Sequence, residues 1–164
     1  MTTNSTTVVK SNFNTYLLPF IVFFLLLCSF TILWETDFET AKQKAKETNR
    51  YILLNFSGSD WCAPCQRFKQ NFLETEVFKQ YADSNLILIN ADFPRLNKNQ
   101  LSKALQQQND NLAEKYNTEG AFPNTLLLDT SGKVIKKWMG LPTMSVDDFV
   151  NEINQAILTQ INGK

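Results

Sequence analysis

Two cysteines in the middle of the chain are the residues best suited to do chemistry. Cys62 and Cys65 lie three apart in the stretch WCAPC at 61–65, directly after the turn-forming stretch SGSD at 57–60. If a helix begins here, both sulfur atoms lie on one side of its first turn and can form a small disulfide ring. The unpaired backbone N–H groups and the positive end of the helix dipole then favour the Cys62 thiolate and lower its pKa. The spacing therefore predicts thiol–disulfide exchange.

The placement predicts a different role for each thiol. Cys62 attacks a substrate disulfide, and Cys65, one turn into the helix and less accessible, attacks the mixed disulfide and releases the product. Pro64 fits the first helical turn because its missing N–H would be unpaired there in any case. Two alternatives involve no turnover. The pair could be half of a zinc site, but the sequence offers no suitable further ligands. It could also be a structural disulfide, but the loop that it closes is too short to stabilise the fold much.

A proline before a strand supports the redox interpretation. Residues 120–124 read GAFPN and precede an apolar strand, an unusual place for proline unless the preceding bond turns tightly. We therefore predict a cis bond before Pro123, because cis prolines usually mark a required backbone geometry. An ordinary trans proline that opens a strand is the alternative.

The composition excludes several other classes of site. The 164 residues include three cysteines, no histidine, and 16 basic against 16 acidic residues, so the formal net charge is zero. Without histidine the chain can form neither a Ser-His-Asp nor a Cys-His site, nor a zinc site built on imidazole. The charge balance argues against a nucleic-acid partner. No nucleotide or flavin motif is present, and we expect no metal and no cofactor.

The surrounding pattern predicts the elements that hold these residues. Apolar runs at 51–56 and 86–89 predict buried strands, and the runs 125–129 and 133–138 around a Thr-Ser-Gly turn predict a hairpin. The resulting order, α-β-α-β-α-β-β-α, predicts an α/β fold with a mixed sheet and helices on both of its faces. Helices are predicted after a capping box at Thr36 and Glu39, from 62 to 80 with a break near Glu74, over 98–116, and after a second capping box at Ser145 and Asp148.

The N-terminal part predicts a membrane segment. Residues 17–34 carry no charge, and as a helix they would span about 27 Å, close to a bilayer core of about 30 Å. Lys10 precedes this segment and acidic residues follow it, which predicts a cytoplasmic tail at 1–16 and an exterior globular domain at 35–164. Cleavage of the segment after Ser29 and lipid attachment at Cys28 are alternatives to an uncleaved anchor.

These motifs together resemble the thioredoxin-like family over about residues 35–161. Their order and spacing carry the resemblance further than the cysteine pair does alone. Three other stretches are similar to exported bacterial members of the family. The family motifs are Asn55-Phe56, WCAPC at 61–65, Phe122-Pro123 and SGKV at 131–134, and the stretches similar to exported members are 56–62, 92–95 and 112–116.

The resemblance implies a thioredoxin-like domain over 35–164 and a function for its motifs. Cys62 is then the catalytic nucleophile and Cys65 the resolving thiol of a redox-active disulfide. Pro123 is the cis-proline that faces them, and the backbone of Phe122 pairs with an extended substrate segment. The substrate-binding residues implied in this way are Trp61, Pro64, Phe122 and Pro123.

Three departures from the family pattern bear on mechanism. Asn55 stands where thioredoxin has a buried aspartate, thought to accept the proton of the resolving cysteine, if one residue is inserted in 57–60. An amide cannot ionise, so this proton must leave through water or another group. Asp60 is a candidate acceptor, with a solvated turn residue as the alternative. Asn124 reads as an insertion after Pro123, and the Ala-Pro pair between the cysteines keeps the proline that accompanies reducing members.

The expected function is thiol–disulfide oxidoreduction of the protein-disulfide reductase type, outside the cytoplasmic membrane and facing the periplasm or exterior. The expected partners are exported proteins with cysteine pairs, the membrane through residues 17–34, and a membrane-embedded thiol carrier that donates electrons. We expect a monomer. A tethered binding or chaperone-like module without turnover and a disulfide-forming oxidase are the alternatives.

Overall fold

The computed structural model describes residues 33–163. The predicted tail at 1–16 and most of the predicted membrane segment at 17–34 lie outside these residues. Among the described residues, no helix has the length and apolar character needed to cross a membrane. Trp34, assigned from sequence to the apolar segment, belongs to the first strand of the sheet.

A five-stranded mixed sheet forms the centre of the domain, with the strand order β1-β3-β2-β4-β5. Strands β1, β3 and β2 run parallel, whereas β4 is antiparallel to both β2 and β5. The inner strands are almost continuously apolar because helices cover both faces. The strands are β1 (Trp34–Glu35), β2 (Tyr51–Ser57), β3 (Leu86–Asp92), β4 (Asn124–Leu128) and β5 (Val134–Met139).

The helices follow the predicted order, and the α/β class with a helix-flanked mixed sheet is confirmed. The predicted break near Glu74 is also confirmed, because Glu74 ends a π-helical turn and Thr75 caps the next helix. The helices are α1 (Phe38–Thr48), α2 (Ala63–Phe68), which continues into the π-helical turn Lys69–Leu73, α3 (Glu76–Asn85), a 3₁₀ turn (Asn97–Asn99), α4 (Lys103–Tyr116) and α5 (Val146–Asn162).

One of the two predicted helix caps is wrong. The first helix is capped by Asp37, whose carboxylate accepts the N–H of Thr40 at 2.7 Å, and not by Thr36. The second cap is confirmed, because the Ser145 hydroxyl accepts the N–H of Asp148 at 3.1 Å and donates to its carboxylate at 2.7 Å. Threonine and aspartate can both accept an otherwise unpaired backbone N–H at a helix start. The residue types alone therefore do not decide between Thr36 and Asp37.

Separate hydrophobic cores lie on the two faces of the sheet, one under α1 and α4 and the other under α2, α3 and α5. Phe149 of α5 is fully buried in the second core and contacts four aromatic rings at centroid distances of 5.0 to 6.3 Å. Phe68 and Phe72, on α2 and its π-helical turn, supply two of these rings. The segment that begins at the cysteines is therefore anchored against α5.

Strand β5 lies at one edge of the sheet and carries two paired lysines. Lys136 contacts Glu152 of α5 at 2.9 Å, and Lys137 contacts Glu119 at 2.6 Å. Glu152 also accepts the indole N–H of Trp138 at 2.8 Å. The Lys136 ammonium and then the Trp138 N–H hold the pKa of Glu152 below its usual range, against a smaller opposing effect of burial.

Candidate active site

The cysteine pair lies where β2 and its following turn lead into helix α2. Cys62 is the N-cap of α2, Ala63 is its first residue, and Pro64 lies in its first turn, as predicted. Cys62 and Cys65 form a disulfide, with their Cα atoms 5.2 Å apart. The Sγ atom of Cys62 accepts the N–H of Cys65 at 3.2 Å. A charge on this sulfur would therefore face a backbone donor at a helix N-terminus, an arrangement that favours thiolate.

The expected difference in exposure between the two cysteines is absent in the oxidised form. Cys62 exposes 3% of its surface and Cys65 exposes 5%, so both are buried. The Cys62 sulfur is bonded to Cys65 and accepts the backbone N–H of that residue. The different roles predicted for these thiols must therefore arise from their neighbours and not from exposure in this state.

The proline predicted to face the disulfide has the expected geometry. The bond between Phe122 and Pro123 is cis, as predicted. Asn117 organises the turn before it, because its side chain accepts the N–H of Ala121 at 3.1 Å and donates to the Ala121 carbonyl at 3.0 Å. Sequence reasoning missed Asn117, which follows the last residue of α4 and carries no motif.

Asn124, which reads as an insertion in the sequence, lies in the strand directly after Pro123. It is the first residue of β4 and pairs with Phe56 in the ladder with β2. Its side chain is fully buried, and the amide donates to the side-chain oxygen of Asn117 at 2.7 Å. The polar residue after proline thus ties the strand to the turn that contains the cis bond.

Trp61 is held on several sides beside the cysteine pair. Its indole N–H donates to the carbonyl of Phe93 at 2.7 Å, and its ring meets Phe122 edge to face with a centroid distance of 5.4 Å. The Arg95 guanidinium lies 3.7 Å from the centroid of the indole ring. Gly58 packs so closely that a Cβ there would overlap the indole. The Trp61 ring is therefore fixed before any substrate arrives.

The loop after β3, residues 93–102, supplies two of these contacts and is held by Asp60. The Asp60 carboxylate accepts the N–H groups of Arg95 and Leu96, each at 2.9 Å, and the side-chain amide of Asn99 at 3.0 Å. The hydrogen bond from the Arg95 N–H is the largest cause that keeps the pKa of Asp60 below its usual range. The bonds from Leu96 and Asn99 act in the same direction, and burial opposes them. The contacts favour the turn interpretation of Asp60 over the proton-acceptor interpretation.

A polar pocket of about 450 Å³ lies on the other side of the disulfide. Cys65 forms part of its wall, together with Asn55, Ser57 and Asn90 at the ends of β2 and β3. Lys69 and Glu74 are the charged residues that line it from the segment after Cys65. Such a pocket has both the room and the polar lining to hold water next to the resolving cysteine.

Asn55 is buried at 4% exposure, and both ends of its amide are satisfied. The Asn55 side-chain NH₂ group donates to the side-chain oxygen of Asn90 at 2.8 Å. The Asn55 side-chain oxygen accepts the Thr125 hydroxyl at 2.9 Å. The Asn90 amide in turn donates to Ser57 at 3.0 Å, and Ser57 donates to Asp92 at 3.0 Å. Neutral amides and hydroxyls thus surround position 55, where thioredoxin has a buried carboxyl. The hydrogen-bonded chain reaches an ionisable residue at its other end, Asp92.

Comparison with known proteins places this geometry in a family. A sequence model described as thioredoxin-like matches residues 33–130. The chain is 31% identical over 124 residues to the disulfide bond reductase DsbH of Chlamydia pneumoniae, which covers 76% of this chain and 72% of that protein. It is also 31% identical over 86 residues to the thioredoxin-related protein DsbJ of the same organism, covering 52% of this chain but only 24% of DsbJ.

Solved structures agree with the sequence matches. A DsbH oxidoreductase superposes with a TM-score of 0.70 at 28% identity, covering 77% of this chain and 84% of that one. A thioredoxin from Thermus thermophilus shares the fold with a TM-score of 0.59 at 14% identity, covering 79% and 90% of the two chains. With the cysteine pair at a helix N-terminus and the cis-proline in place, these matches establish that the chain belongs to the thioredoxin-like family.

Proposed function

We propose that this protein is a thiol–disulfide oxidoreductase that reduces disulfides in other proteins through Cys62 and Cys65. The observation that carries the proposal is the disulfide itself, formed across the first turn of α2 and adjoining a tryptophan that the fold holds in place. The similarity to a protein named disulfide bond reductase supports the reducing direction. An extended substrate segment is proposed to pair with the backbone of Phe122, whose ring contacts Trp61 at a centroid distance of 5.4 Å.

The reaction begins with the reduced dithiol. The Cys62 thiolate attacks one sulfur of the substrate disulfide, forms a mixed disulfide and releases one substrate thiolate, which takes a proton from water. The Cys65 thiol then loses its proton and attacks the Cys62 sulfur, releasing the second substrate thiol. The substrate gains two electrons and two protons, and the protein becomes the Cys62–Cys65 disulfide. A separate dithiol donor must return it to the reduced form.

Two features of the site replace groups that other thiol enzymes use. No histidine is present to activate Cys62, so its thiolate depends on the helix N-terminus and on the N–H of Cys65. No carboxylate stands at position 55, so we propose that the Cys65 proton leaves to water in the adjoining polar pocket. Both replacements use parts of the backbone fold and neither requires a cofactor.

The site of action is part of the same proposal. The apolar segment predicted at 17–34, without Trp34 because this residue lies in β1, is proposed to anchor the protein in the cytoplasmic membrane, with the domain on the periplasmic or exterior side. The proposed substrates are exported proteins with cysteine pairs, and the proposed donor is a membrane-embedded thiol carrier. Fusing alkaline phosphatase after residue 164 tests the topology, because this reporter is active only outside the cytoplasm. An inactive phosphatase fusion would contradict the proposed orientation.

The activity is tested by insulin reduction with the full chain in detergent and dithiothreitol as donor. The wild type is expected to accelerate precipitation of the insulin B chain, and Cys62→Ser to abolish this acceleration. Cys28→Ser is the matched control and is expected to retain full activity, because Cys28 lies in the predicted membrane segment. Full activity in Cys62→Ser, or none in the wild type, would overturn the proposal.

The alternative functions differ in redox potential. Titration of the cysteine pair against glutathione and dithiothreitol series measures this potential. A disulfide that resists reduction below about −300 mV would indicate a structural or binding role without turnover. A strongly oxidising pair would indicate disulfide formation. The reductase proposal expects a potential between these two outcomes, closer to the values of reducing members.

A further inference from the structure

The loop 93–102 brings a cation to the rim of the site without pairing it to a carboxylate. The Arg95 guanidinium stacks on Trp61, the residue immediately before Cys62. Arg95 is exposed, and among the ion pairs within residues 33–163 none includes it. Stacking holds the planar group in place and leaves its N–H donors available.

Two carboxylates of this region, those of Asp60 and Asp92, are bonded within the protein. Asp60 accepts two backbone N–H groups and the Asn99 amide, which fix the backbone from which Arg95 projects. Asp92 accepts the N–H of Ser59 at 2.8 Å and the hydroxyl of Ser57 at 3.0 Å. Because the anionic oxygens bond within the protein, the group that remains free to bind a partner is the guanidinium.

The contacts also connect Arg95 to the predicted substrate position. Trp61 meets Phe122 at a centroid distance of 5.4 Å, and Phe93 meets Phe122 at 5.6 Å. Phe122 is the residue whose backbone is proposed to pair with the substrate segment. A substrate side chain that lies beside Phe122 and Trp61 would therefore come within reach of the guanidinium stacked on the indole.

We propose that Arg95 is a specificity-determining residue that binds a carboxylate close to the target cysteine of the substrate, so that cysteine pairs flanked by Asp or Glu are reduced preferentially. This inference rests on the proposed reductase function. The carboxylate forms a bidentate, charge-assisted pair with the guanidinium while Cys62 attacks the substrate disulfide. Asp60 positions the loop, and Trp61 orients the planar cation.

The test compares two short disulfide-containing peptides that differ only in Glu or Gln beside one cysteine. The pre-reduced full chain in detergent is mixed with each peptide, and kcat/KM is measured by acid quenching and thiol labelling. At low ionic strength the Glu peptide is expected to react about three- to fivefold faster, the range of a partly exposed ion pair. In Arg95→Gln the ratio is expected to fall to about one.

Lys115→Gln is the matched control, because Lys115 is also a cation over an aromatic ring, 4.9 Å from the Tyr116 centroid on α4. It is expected to keep the wild-type ratio. Equal rates for the two peptides with the wild type would overturn the role of Arg95 and leave the reductase proposal standing. Loss of the ratio in Lys115→Gln as well would overturn a local role in favour of overall charge. Reaction with neither peptide would overturn the reductase proposal and this inference together.

Discussion

The two sides of the cysteine pair differ in chemistry and in rigidity. On the Trp61 side, an aromatic ring is fixed by a hydrogen bond, a ring contact, a stacked guanidinium and a glycine. On the Cys65 side, a pocket is lined by amides and serine hydroxyls, with Lys69 and Glu74 as its charged residues. The first side presents a preformed surface to a partner, and the second offers space for water. In the proposed mechanism, substrate recognition and proton transfer therefore involve separate groups of residues.

The difference also shows where this chain departs from thioredoxin. Trp61 and the cis-proline keep the family pattern on the recognition side, and the loop 93–102 adds Arg95 to it. On the proton side, an amide stands at Asn55 where thioredoxin has a carboxyl, and this amide bonds to Asn90 and Thr125. The recognition side thus carries a cation at Arg95, whereas the proton side carries a neutral amide at Asn55.

Replacing each cysteine in turn gives the largest expected effect. Cys62→Ser removes the nucleophile, so reduction of a peptide disulfide should fall by about a thousandfold or more. Cys65→Ser keeps the first attack and loses the release step, so a mixed disulfide on Cys62 should accumulate in one turnover. Mass spectrometry of the acid-quenched protein measures both results. Accumulation of the mixed disulfide on Cys65 in Cys62→Ser would reverse the assigned roles.

Gly58→Ala tests the rigidity of the recognition side. The added Cβ overlaps the indole, so Trp61 must shift, with a loss of about 1–3 kcal/mol in the free energy of unfolding and about tenfold in kcat/KM. Thermal unfolding and peptide reduction measure the two effects. Gly120→Ala is the control, because its φ of +63° strains the backbone while its Cβ meets no atom within 4 Å. An equal loss of kcat/KM in both variants would argue against a specific role for Trp61 packing.

Asn55→Asp tests the proton side. Burial should raise the pKa of the new carboxyl, so the folded state keeps a proton that the unfolded state loses near pH 4, and stability relative to wild type should fall by about 1–3 kcal/mol as the pH rises above that value. Release of the mixed disulfide should become faster, because a base adjoins Cys65. Denaturant unfolding and quenched-flow measure these effects across pH.

The same substitution at an exposed site provides the control for Asn55→Asp. Asn111 is exposed on α4, so Asn111→Asp should change neither the release rate nor the pH dependence of stability by a measurable amount. If Asn55→Asp also leaves the release rate unchanged, the water-filled pocket is already an adequate proton acceptor and the two sides differ less than proposed.

Low pH gives the smallest expected effect and acts on the recognition side. The pKa of Asp60 lies below its usual range because the N–H of Arg95, with Leu96 and Asn99, favours its carboxylate. Its contribution is therefore fully present above about pH 4, the ordinary aspartate value, and is lost as the pH falls through the lower folded value. The loop amides of Arg95 and Leu96 should shift in NMR spectra over this range. Asp60→Asn should abolish that titration, and its persistence would assign it to another group.

Much of the fold and of the cysteine site could be predicted from the sequence because it depends on local patterns. Apolar runs correctly predicted β2 and β3. The spacing of Cys62 and Cys65 at a helix start correctly predicted that they can form a disulfide. The position of Pro123 before an apolar strand gave the cis bond. Each of these is decided by residues adjacent along the chain.

Other parts could not be predicted because distant residues decide them. Strand β1 has two residues and is defined by its pairing with β3, so no alternation marks it. Arg95 and Trp61 are far apart along the chain and meet because they follow the paired ends of β2 and β3, where Asp60 holds the loop. The amide network at Asn55 depends on side chains from three strands. Such contacts leave no periodic signal in one sequence.

The ion pairs on β5 have a consequence for how copies of the domain meet one another. An edge strand offers unpaired backbone groups to any strand that approaches it. Lys136 and Lys137 lie on this edge and are tied to Glu152 and Glu119, so a strand from a second copy would have to displace these pairs or bury the lysine charges. The β5 edge should therefore resist the growth of continuous sheets between molecules, even when partly unfolded chains accumulate at high concentration.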